Sequence, residues 1–159
     1  AEKLQPVLFG GAQRQDSVRL GLEGIAGLKP AHVLIHDAVR PFITVPTITA
    51  VLDALTRSPA ALAGVPLADT LKRVEDGTVT GTVDRGGLWR AQTPQGFRYA
   101  DILKAHRYAV QSAPGVEFTD DAMTAEHAGL RVEMVMGSED NFKITTAADL
   151  ARAEFLLNF

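Results

Sequence analysis

The chain has 159 residues, of which 46% are hydrophobic and 22% charged, and its formal net charge at pH 7 is −3. This composition fits one globular domain with a buried core, and the acidic balance argues against nucleic acid or an anionic membrane as a partner. The chain has no cysteine and its four histidines form no HExxH pair, which excludes disulfides, thiolate metal sites and the common zinc-hydrolase motif. Because no apolar run approaches the roughly 20 residues of a membrane helix, we expect a soluble cytoplasmic protein.

The N-terminal region predicts a strand, a glycine loop and a helix. Residues 4–9 are apolar enough for a strand, although Pro6 limits its pairing. Gly10 and Gly11 then break the chain, and a helix is predicted over about 13–27. Glycines before a helix let backbone N–H groups approach a ligand closely. An ordinary tight turn is the alternative, and the glycine pair alone does not decide between the two.

The stretch 33–42 is the centre of the predicted site. Residues 33–35 form a short apolar run rich in β-branched side chains, which is typical of a strand buried on both faces. Ligands of open α/β sheets bind beyond the carboxyl ends of strands, and this strand is followed by Asp37 and Arg40. The two residues either bind one ligand or simply form a structural ion pair, and the residues themselves leave both interpretations open.

The next segments predict a helix and a second strand with a polar end. Thr44 and Pro46 are typical of a helix start, and apolar residues recur at helical spacing until Pro59. Residues 61–67 predict a buried strand. The cluster 69–72, which follows it, again offers an acid, a hydroxyl and a cation.

Residues 72–83 predict a β-hairpin that stands apart from the core. Two polar, β-prone runs flank Asp76-Gly77, a strong signal for a two-residue hairpin turn. Few of these side chains are apolar enough to pack on a core, and a lone two-stranded hairpin is only marginally stable in water. We therefore expect an arm, about residues 70–86, that packs against a second copy of the chain in a homodimer.

The remainder of the chain predicts three helices and two strands. The helices are expected over 99–112, about 118–128 and 146–157, and the strands over 130–135 and 141–145. Thr146 and Asp149 form a capping-box pattern at the last helix. Asp120 and Asp121 either offset a helix dipole or serve the site, and the sequence does not decide. Strands alternating with helices imply a doubly wound, mostly parallel α/β sheet.

Seven motifs in chain order resemble those of the 2-C-methyl-D-erythritol 4-phosphate cytidylyltransferase family. They are Gly-Gly-x-x-Arg-x-Asp-Ser-Val (10–18), His-Asp-Ala-x-Arg-Pro (36–41), Asp-Thr-x-Lys (69–72), Thr-Val-Asp-Arg-x-x-Leu-Trp (82–89), Gln-Thr-Pro-Gln (92–95), Thr-Asp-Asp-Ala (119–122) and Asn-Phe-Lys-Ile-Thr (141–145). The resemblance covers the chain from about Val7 to its end. It implies a sheet of the nucleotide-diphospho-sugar transferase type, with a β-arm that embraces the dimer partner. It also implies transfer of CMP from CTP to methylerythritol phosphate, with release of pyrophosphate, in the non-mevalonate route to isoprenoid precursors.

The same resemblance implies catalytic and binding residues on several segments. Arg85 on the arm and Lys143 would place the attacking phosphate of the acceptor. Further residues would bind the acceptor or the ribose–phosphate region: Asp37, Arg40, Thr70 and Thr93. Because the arm crosses to the partner, Thr70 and Arg85 would serve the partner's site. The structural alternatives are a solvated strand-end lysine at 143 and a hairpin-closing ion pair at 85.

For the nucleotide, the resemblance implies Gly11, Ala12 and Ser17 as the segment that reads cytosine and ribose. Mg²⁺ would be held mainly by CTP oxygens, with few or no protein ligands. Family members begin with a further βα unit whose Gly-rich loop and Pro-Lys-Gln segment grip the triphosphate. No such segment precedes Ala1, so we expect residues 1–159 to be one cytidylyltransferase domain without that unit, inactive by itself. Some members continue into 2-C-methyl-D-erythritol 2,4-cyclodiphosphate synthase, and whether such a domain follows Phe159 is left open.

Two other functions stay open on the sequence. A cytidylyltransferase of the same fold could use another acceptor, such as ribitol phosphate, since the residues themselves do not identify the acceptor. A non-catalytic nucleotide-binding module could also retain the fold, an interpretation favoured by the missing Gly-rich loop.

Overall fold

The computed structural model describes residues 3–158, which form a four-stranded sheet, a separate two-stranded sheet and five α-helices. The strands are β1 (His32–Ile35), β2 (Ala60–Pro66), β3 (Leu71–Glu75), β4 (Thr78–Val83), β5 (Trp89–Arg98) and β6 (Val132–Met136). The α-helices are α1 (Arg14–Gly24), α2 (Val45–Ala54), α3 (Tyr99–Ser112), α4 (Asp121–His127) and α5 (Ala147–Leu157), with a 3₁₀ turn over Ala26–Leu28. Within the described residues, no helix combines the length and apolar character needed to cross a membrane.

The main sheet has the order β1-β5-β2-β6 and is mixed. β2 and β6 pair in parallel, whereas β5 pairs antiparallel with both β1 and β2. Three strands therefore run in one direction and β5 runs against them. The α/β prediction is confirmed, but β5 was not among the predicted strands. The reason is its composition, because β5 buries polar residues such as Gln92 and Gln95 instead of an apolar run.

Helices cover both faces of this sheet, as a doubly wound fold requires. On one face, α2 packs Val51 and Leu55 against the small residues of β2. On the other face, α1, α3 and α4 pack around Phe97 and Ile102. Gly96 of β5 lets α2 approach closely, because a Cβ atom there would lie 2.4 Å from a methyl group of Val51. The face under α2 is therefore built from small strand residues and larger helix residues, whereas Phe97 of β5 is a large strand residue in the core of the other face.

A shift in the β2–β5 pairing places polar side chains in the middle of the sheet. Leu62 pairs with Gln95 but Gly64 pairs with Ala91, so residues 92–94 bulge out of the ladder. Pro94, which has no N–H to give to the ladder, lies in this bulge. The bulge frees Gln92 and Thr93 for contacts outside the ladder.

Two predicted strands are wrong. Residues 4–11 have no regular secondary structure, and the side chains of Val7 and Phe9 are exposed. Residues 142–145 are also irregular, and their backbone contact with the 36–41 loop is a single hydrogen bond from Ile144 N–H to the carbonyl of Val39, at 2.9 Å. Both segments have the right composition but no partner strand, and a strand depends on its partner.

The predicted hairpin is confirmed as strands β3 and β4. Asp76 and Gly77 both have positive φ, 49° and 77°, as the twist of a tight two-residue hairpin turn requires. The two strands pair with each other in a sheet of their own, and Val74 and Val79 are exposed. Packing of this arm on a second copy of the chain stays a prediction.

Candidate active site

A polar cleft of about 200 Å³ lies where loops follow β1 and β6. Its lining includes residues predicted from the sequence and others that were not: Arg14, Asp37, Arg40, Thr93, Gln95, Asp120 and Lys143. Because β1 and β6 run in the same direction, the loops 36–41 and 137–143 emerge at one edge of the sheet. The cleft is therefore at the carboxyl ends of strands, where open α/β sheets bind ligands.

Asp37 is the anionic centre of the cleft. Its Oδ2 lies 2.8 Å from Lys143 Nζ and 3.6 Å from Arg40 Nε. Burial alone would raise the pKa of Asp37, but the hydrogen bond and charge of Lys143, together with the charge of Arg40, outweigh it and lower that pKa. Asp37 is thus held ionised near neutral pH, which suits it to accepting hydrogen bonds rather than to carrying a proton.

Arg40 is almost entirely buried, whereas Lys143 is half exposed. Arg40 donates to the carbonyl of Asn141 at 2.5 Å, and burial lowers the pKa of its guanidinium. The side chain of Lys143 is 48% exposed, so its ammonium can also reach a ligand. The structural ion pair that was the alternative for Asp37 and Arg40 is present, and both residues line the cleft.

A short hydrogen-bond chain fixes the 36–41 loop. The Nε2 of His36 lies 3.0 Å from the carbonyl of Arg40 and must donate to it, because a carbonyl only accepts. In a neutral ring, Nδ1 then accepts from the hydroxyl of Thr93 at 2.9 Å. The same hydroxyl oxygen accepts from the Asp37 N–H at 3.0 Å. Thr93 thus holds the loop. Its contact with a substrate phosphate stays a prediction, because its hydroxyl would have to donate to the phosphate instead of to His36.

Buried amides fix the loop that carries Lys143. Asn141 is fully buried and donates through Nδ2 to the carbonyl of Thr93 at 2.7 Å. Gln92, in the β5 bulge, donates to the carbonyl of Ser138 at 2.7 Å. These contacts join the 137–143 loop to β5, which gives the register shift of that strand a role in positioning Lys143.

The opposite wall of the cleft is formed around the start of α4, where the sequence left the roles of Asp120 and Asp121 open. Gln95 accepts from the N–H groups of Asp121 and Ala122, at 3.1 and 2.9 Å, and donates to Asp120 at 2.8 Å. Asp120 caps α4 through the N–H of Met123 at 2.8 Å. Asp121 instead turns inward and binds Arg14, 2.6 Å away. Gln95 lies in the motif 92–95 and the two acids lie in the motif 119–122. Their contacts join residues that are distant in sequence, which a local pattern does not show.

Arg85 and Thr70 do not line the cleft of their own chain. Both are exposed on or beside the arm, and Arg85 forms no ion pair among residues 3–158. The carbonyl of Arg85 accepts from Leu88 N–H at 3.0 Å in the turn that closes the arm. The hairpin-closing ion pair considered for Arg85 is therefore not formed, and its catalytic role stays a prediction.

Of the proposed nucleotide-binding residues, Gly11 and Ala12 lie just before α1 and Ser17 lies in its first turn. Gly11 donates to the hydroxyl of Ser17 at 3.0 Å, and that hydroxyl donates to the carbonyl of Gln13 at 3.1 Å. Gly11 is required there, because a Cβ atom would lie 2.3 Å from the side chain of Asp16. Residues 10 and 11 are irregular and the chain bends at 12 and 13 before α1 begins, so the glycine pair itself forms no tight turn. Neither Gly11, Ala12 nor Ser17 lines the cleft, although Arg14 from the same segment does.

The carboxylates of the cleft form no ready metal site. Within the part of the chain that the structure describes, no group of three or more His, Cys, Asp or Glu side chains is arranged to hold a metal ion. Asp37 is paired with two cations and both oxygens of Asp120 accept N–H donors. A metal at this cleft would therefore take most of its ligands from a bound molecule.

Comparisons with known proteins agree with this geometry. Residues 2–159 match the family described as 2-C-methyl-D-erythritol 4-phosphate cytidylyltransferase. The chain is 60% identical over 155 residues to the "Bifunctional enzyme IspD/IspF" of Paramagnetospirillum magneticum, which covers 98% of this chain and 39% of that protein. It is 49% identical over 157 residues to the "2-C-methyl-D-erythritol 4-phosphate cytidylyltransferase" of Cereibacter sphaeroides, covering 99% of this chain and 68% of that one.

A solved structure shows the same similarity. The crystal structure of the 2-C-methyl-D-erythritol 4-phosphate cytidylyltransferase from Thermus thermophilus superposes with a TM-score of 0.87 at 37% identity, over 100% of this chain and 80% of that one. The chain spans only 39% and 37% of the length of two bifunctional relatives, from Paramagnetospirillum magneticum and Rhodospirillum rubrum. The similarity to those two relatives therefore concerns one part of a longer polypeptide.

Proposed function

The chain belongs to the 2-C-methyl-D-erythritol 4-phosphate cytidylyltransferase family, and from that premise we propose that it transfers CMP from CTP to 2-C-methyl-D-erythritol 4-phosphate. Pyrophosphate is the second product, and the step leads to isoprenoid precursors by the non-mevalonate route. The observation that carries the proposal is the cleft in which Lys143, Arg40 and Arg14 gather around Asp37. This cluster of cations suits a reaction between two phosphates.

The chemistry needs positioning and charge neutralisation more than acid–base catalysis. A phosphate oxygen of the acceptor forms a new bond to the α-phosphorus of CTP, and the bond from that phosphorus to the pyrophosphate oxygen breaks. The electron pair of the broken bond leaves with pyrophosphate. Because the nucleophile is already an anion, no base has to remove a proton, and the barrier is set by bringing two anions together.

Within this proposal the residues divide the work. Lys143 and Arg85 place the attacking phosphate, and Thr70 and Thr93 contribute hydrogen bonds to it. Asp37, held ionised by Lys143, accepts hydrogen bonds from hydroxyl groups of the acceptor.

Arg40 stabilises the loop that carries Lys143. Its guanidinium is buried against the carbonyl of Asn141, so it holds the loop while adding positive charge near the ribose–phosphate region. Gly11, Ala12 and Ser17 form the segment that contacts the cytosine and the ribose.

Mg²⁺ enters with the nucleotide. The carboxylates of the cleft are already engaged by cations and N–H groups, so CTP oxygens supply most of its ligands, as is usual for Mg²⁺ on nucleotides. When bound, the ion neutralises charge on the triphosphate and on the leaving pyrophosphate.

A homodimer completes the site in this proposal. The arm does not reach the cleft of its own chain, so Arg85 and Thr70 serve the cleft of the partner. A second copy of the chain would also cover Val74 and Val79, which are exposed on the arm. The reaction is proposed to take place in the cytoplasm.

A coupled assay of pyrophosphate release tests this function. The complete product of the gene is incubated with CTP, Mg²⁺ and either methylerythritol phosphate or ribitol phosphate, with EDTA as a control. We expect release only with methylerythritol phosphate and only without EDTA. Faster release with ribitol phosphate would reassign the acceptor, and CTP binding without release from any acceptor would favour the non-catalytic module.

A further inference from the structure

A cluster of three polar side chains, two of them fully buried, runs from the helical core to the wall of the cleft. Its centre is the carboxylate of Asp121, which is fully buried. One of its oxygens accepts from Arg14 at 2.6 Å, and the other lies 3.2 Å from Nε2 of His106, which is also fully buried. The three residues come from α4, α1 and α3. In the proposed function Arg14 contributes only positive charge to the cleft, and Asp121 and His106 have no role.

Asp121 remains ionised although it has no contact with water. Burial alone would raise its pKa, but its contacts with His106 and Arg14 outweigh burial and lower it. A buried carboxylate is costly, and apolar residues of similar volume often stabilise a core as well or better. The buried carboxylate of Asp121 is therefore better explained by its contact with Arg14 than by a contribution to stability alone.

Asp121 binds Arg14, whose guanidinium still has N–H donors available at the cleft. The Arg14 side chain is 39% exposed and lines the cleft. Within residues 3–158 its hydrogen bond to Asp121 is the only one it makes, although a guanidinium carries five N–H donors. Burial alone would lower the pKa of Arg14, but the hydrogen bond and charge of Asp121 outweigh it and raise that pKa, and the charges of Asp37 and Asp120 add to the rise.

The backbone at Asp121 is fixed independently of the ion pair. Gln95 accepts from the N–H groups of Asp121 and Ala122, so the start of α4 is tied to β5. His106 stands against the oxygen of Asp121 that faces away from Arg14. The carboxylate therefore presents its other oxygen, Oδ2, to the guanidinium from a fixed position.

We propose that Arg14 is a further phosphate-binding residue of the cleft and that Asp121 is its positioning residue. This inference rests on the proposed function, because it assumes a phosphate-bearing substrate in the cleft. The ligand group is a phosphate oxyanion, which the planar guanidinium can bind through two N–H donors at once. The nucleotide and the acceptor both carry such a group.

Steady-state kinetics of four variants of the complete gene product test the inference. They are Arg14→Gln, Arg14→Lys, Asp121→Asn and the double variant Arg14→Gln/Asp121→Asn. Arg19→Gln is the matched control, because Arg19 lies on the same helix, pairs with Asp16 and Glu23, and does not line the cleft. KM is measured separately for CTP and for methylerythritol phosphate, and thermal unfolding is recorded for each variant.

We expect Arg14→Gln and Asp121→Asn each to raise the KM of one phosphate substrate by about tenfold or more, in the range of a lost charged hydrogen bond. Arg14→Lys keeps the charge but not the planar guanidinium with its paired donors, so its KM should lie between the values of the wild type and of Arg14→Gln. The double variant should be no worse than Arg14→Gln, because Asp121 acts through Arg14. A rise in the KM for CTP assigns Arg14 to the nucleotide, and a rise for the acceptor assigns it to the acceptor phosphate.

Other results overturn the inference. If Arg14→Gln lowers the unfolding temperature but leaves both KM values unchanged, the cluster is a structural ion pair. Effects of Arg14 and Asp121 on KM that add in the double variant would remove the positioning role. If Asp121→Asn does not fold, Asp121→Glu takes its place in the same comparison.

An inactive wild type would instead count against the proposed function. Calorimetric titration of CTP with Mg²⁺, and of inorganic phosphate, into wild type and Arg14→Gln then decides the inference on its own. Weaker binding by the variant supports it, and equal binding overturns it.

Discussion

The cleft and the arm are built in opposite ways. Side chains around the cleft are held by contacts within the chain, such as Lys143 on Asp37 and Asn141 on the carbonyl of Thr93. The arm strands β3 and β4 pair only with each other in a sheet of their own, and Arg85 at the base of the arm has no ion pair among residues 3–158. Residues 3–158 of one chain thus preorganise the cleft, while the strands of the arm pair with no other strand among those residues.

This contrast bears on catalysis. Electrostatic stabilisation of a transition state is effective when the charges are already in place before the reaction. Lys143 meets that condition within one chain, whereas an exposed Arg85 does not. If both residues act on one phosphate, the surface that places Arg85 has to come from another molecule, and a second copy of the chain is the simplest source.

The largest effect is expected when either cation is removed. Lys143→Ala and Arg85→Ala should each lower kcat/KM by roughly 10²–10³, because each removes a positive charge that the proposed dimeric site places at the transition state. Neither substitution leaves a cavity in the core, so Arg85→Ala should change the unfolding temperature little, and Lys143→Ala should lower it only by the loss of its half-exposed ion pair with Asp37. Lys104→Ala and Arg107→Ala, on the outer side of α3 and away from the cleft, are the controls. A variant that retains more than about a tenth of wild-type kcat/KM, well short of that loss, removes the corresponding assignment.

Mixing the two inactive variants sharpens the comparison between cleft and arm. If the arm reaches the partner, a heterodimer of Arg85→Ala and Lys143→Ala chains has one intact site and one site with both lesions. Random pairing after joint refolding should then restore about a quarter of wild-type activity, since half of the dimers are mixed and each has one good site.

The opposite result is equally clear. If Arg85 serves its own chain, every site keeps one lesion and mixing restores nothing. Light scattering confirms that dimers are present, and each variant refolded alone gives the baseline. A flat result with confirmed dimers leaves the hairpin as an ordinary surface feature.

Local patterns in the sequence predicted the arm better than they predicted the cleft. Asp76-Gly77 specified the hairpin turn, and Thr146 with Asp149 specified a helix cap, because both signals act over a few residues. β5 was missed because its buried positions hold Gln92 and Gln95, whose partners lie in other loops. Pairing between distant segments is a tertiary property, and a strand pattern does not contain it.

The same limit applies to the site. The motifs brought Asp37, Arg40, Thr93 and Lys143 together as candidates, and the structure places these four in one cleft. They did not reveal that Asp121 turns inward while the neighbouring Asp120 caps the helix. His106 carries no signal in the sequence, because a histidine on an apolar helix face is usually part of a core.

A smaller effect is expected on stability in acid. Asp37 and Asp121 both have a lowered pKa in the folded protein, because the effects of Lys143 on Asp37, and of His106 and Arg14 on Asp121, outweigh burial. A lowered pKa adds stability that is complete above the unfolded value of about 3.9 and is lost as the pH falls through the folded value. Urea unfolding between about pH 6 and pH 2 should therefore show a falling midpoint below about pH 4.

The two acids should differ in this experiment. Asp37→Asn and Asp121→Asn should each flatten the acid side of the profile, and Asp53→Asn, an exposed acid on α2, is the control. Asp121→Asn should also lower the midpoint at neutral pH more than Asp37→Asn does, because Asp121 is fully buried between its two partners. Profiles that are parallel to wild type in both variants would contradict the lowered pKa values.

The smallest effect is expected at the cap of α5. The hydroxyl of Thr146 accepts from Asp149 N–H at 3.2 Å, and Asp149 accepts in return from Thr146 N–H at 2.8 Å. Thr146→Ala should lower the free energy of unfolding by about 1 kcal/mol, and Thr146→Ser, which keeps the hydroxyl, is the control. Helix α5 also supports the Lys143 loop, since Arg152 lies 4.1 Å above the ring of Phe142.

Loss of this cap should nevertheless leave the position of Lys143 in the cleft unchanged. The Lys143 loop is held a second time from inside, by Asn141 on the carbonyl of Thr93 at 2.7 Å. Thr146→Ala should therefore shift the unfolding temperature by about 2–4 °C while kcat/KM stays within about twofold of wild type, a change of less than half a kcal/mol in the barrier. If kcat/KM instead falls tenfold with so small a loss of stability, α5 rather than the buried amides places Lys143. The cleft would then depend on its periphery in the way that the arm is proposed to depend on a partner.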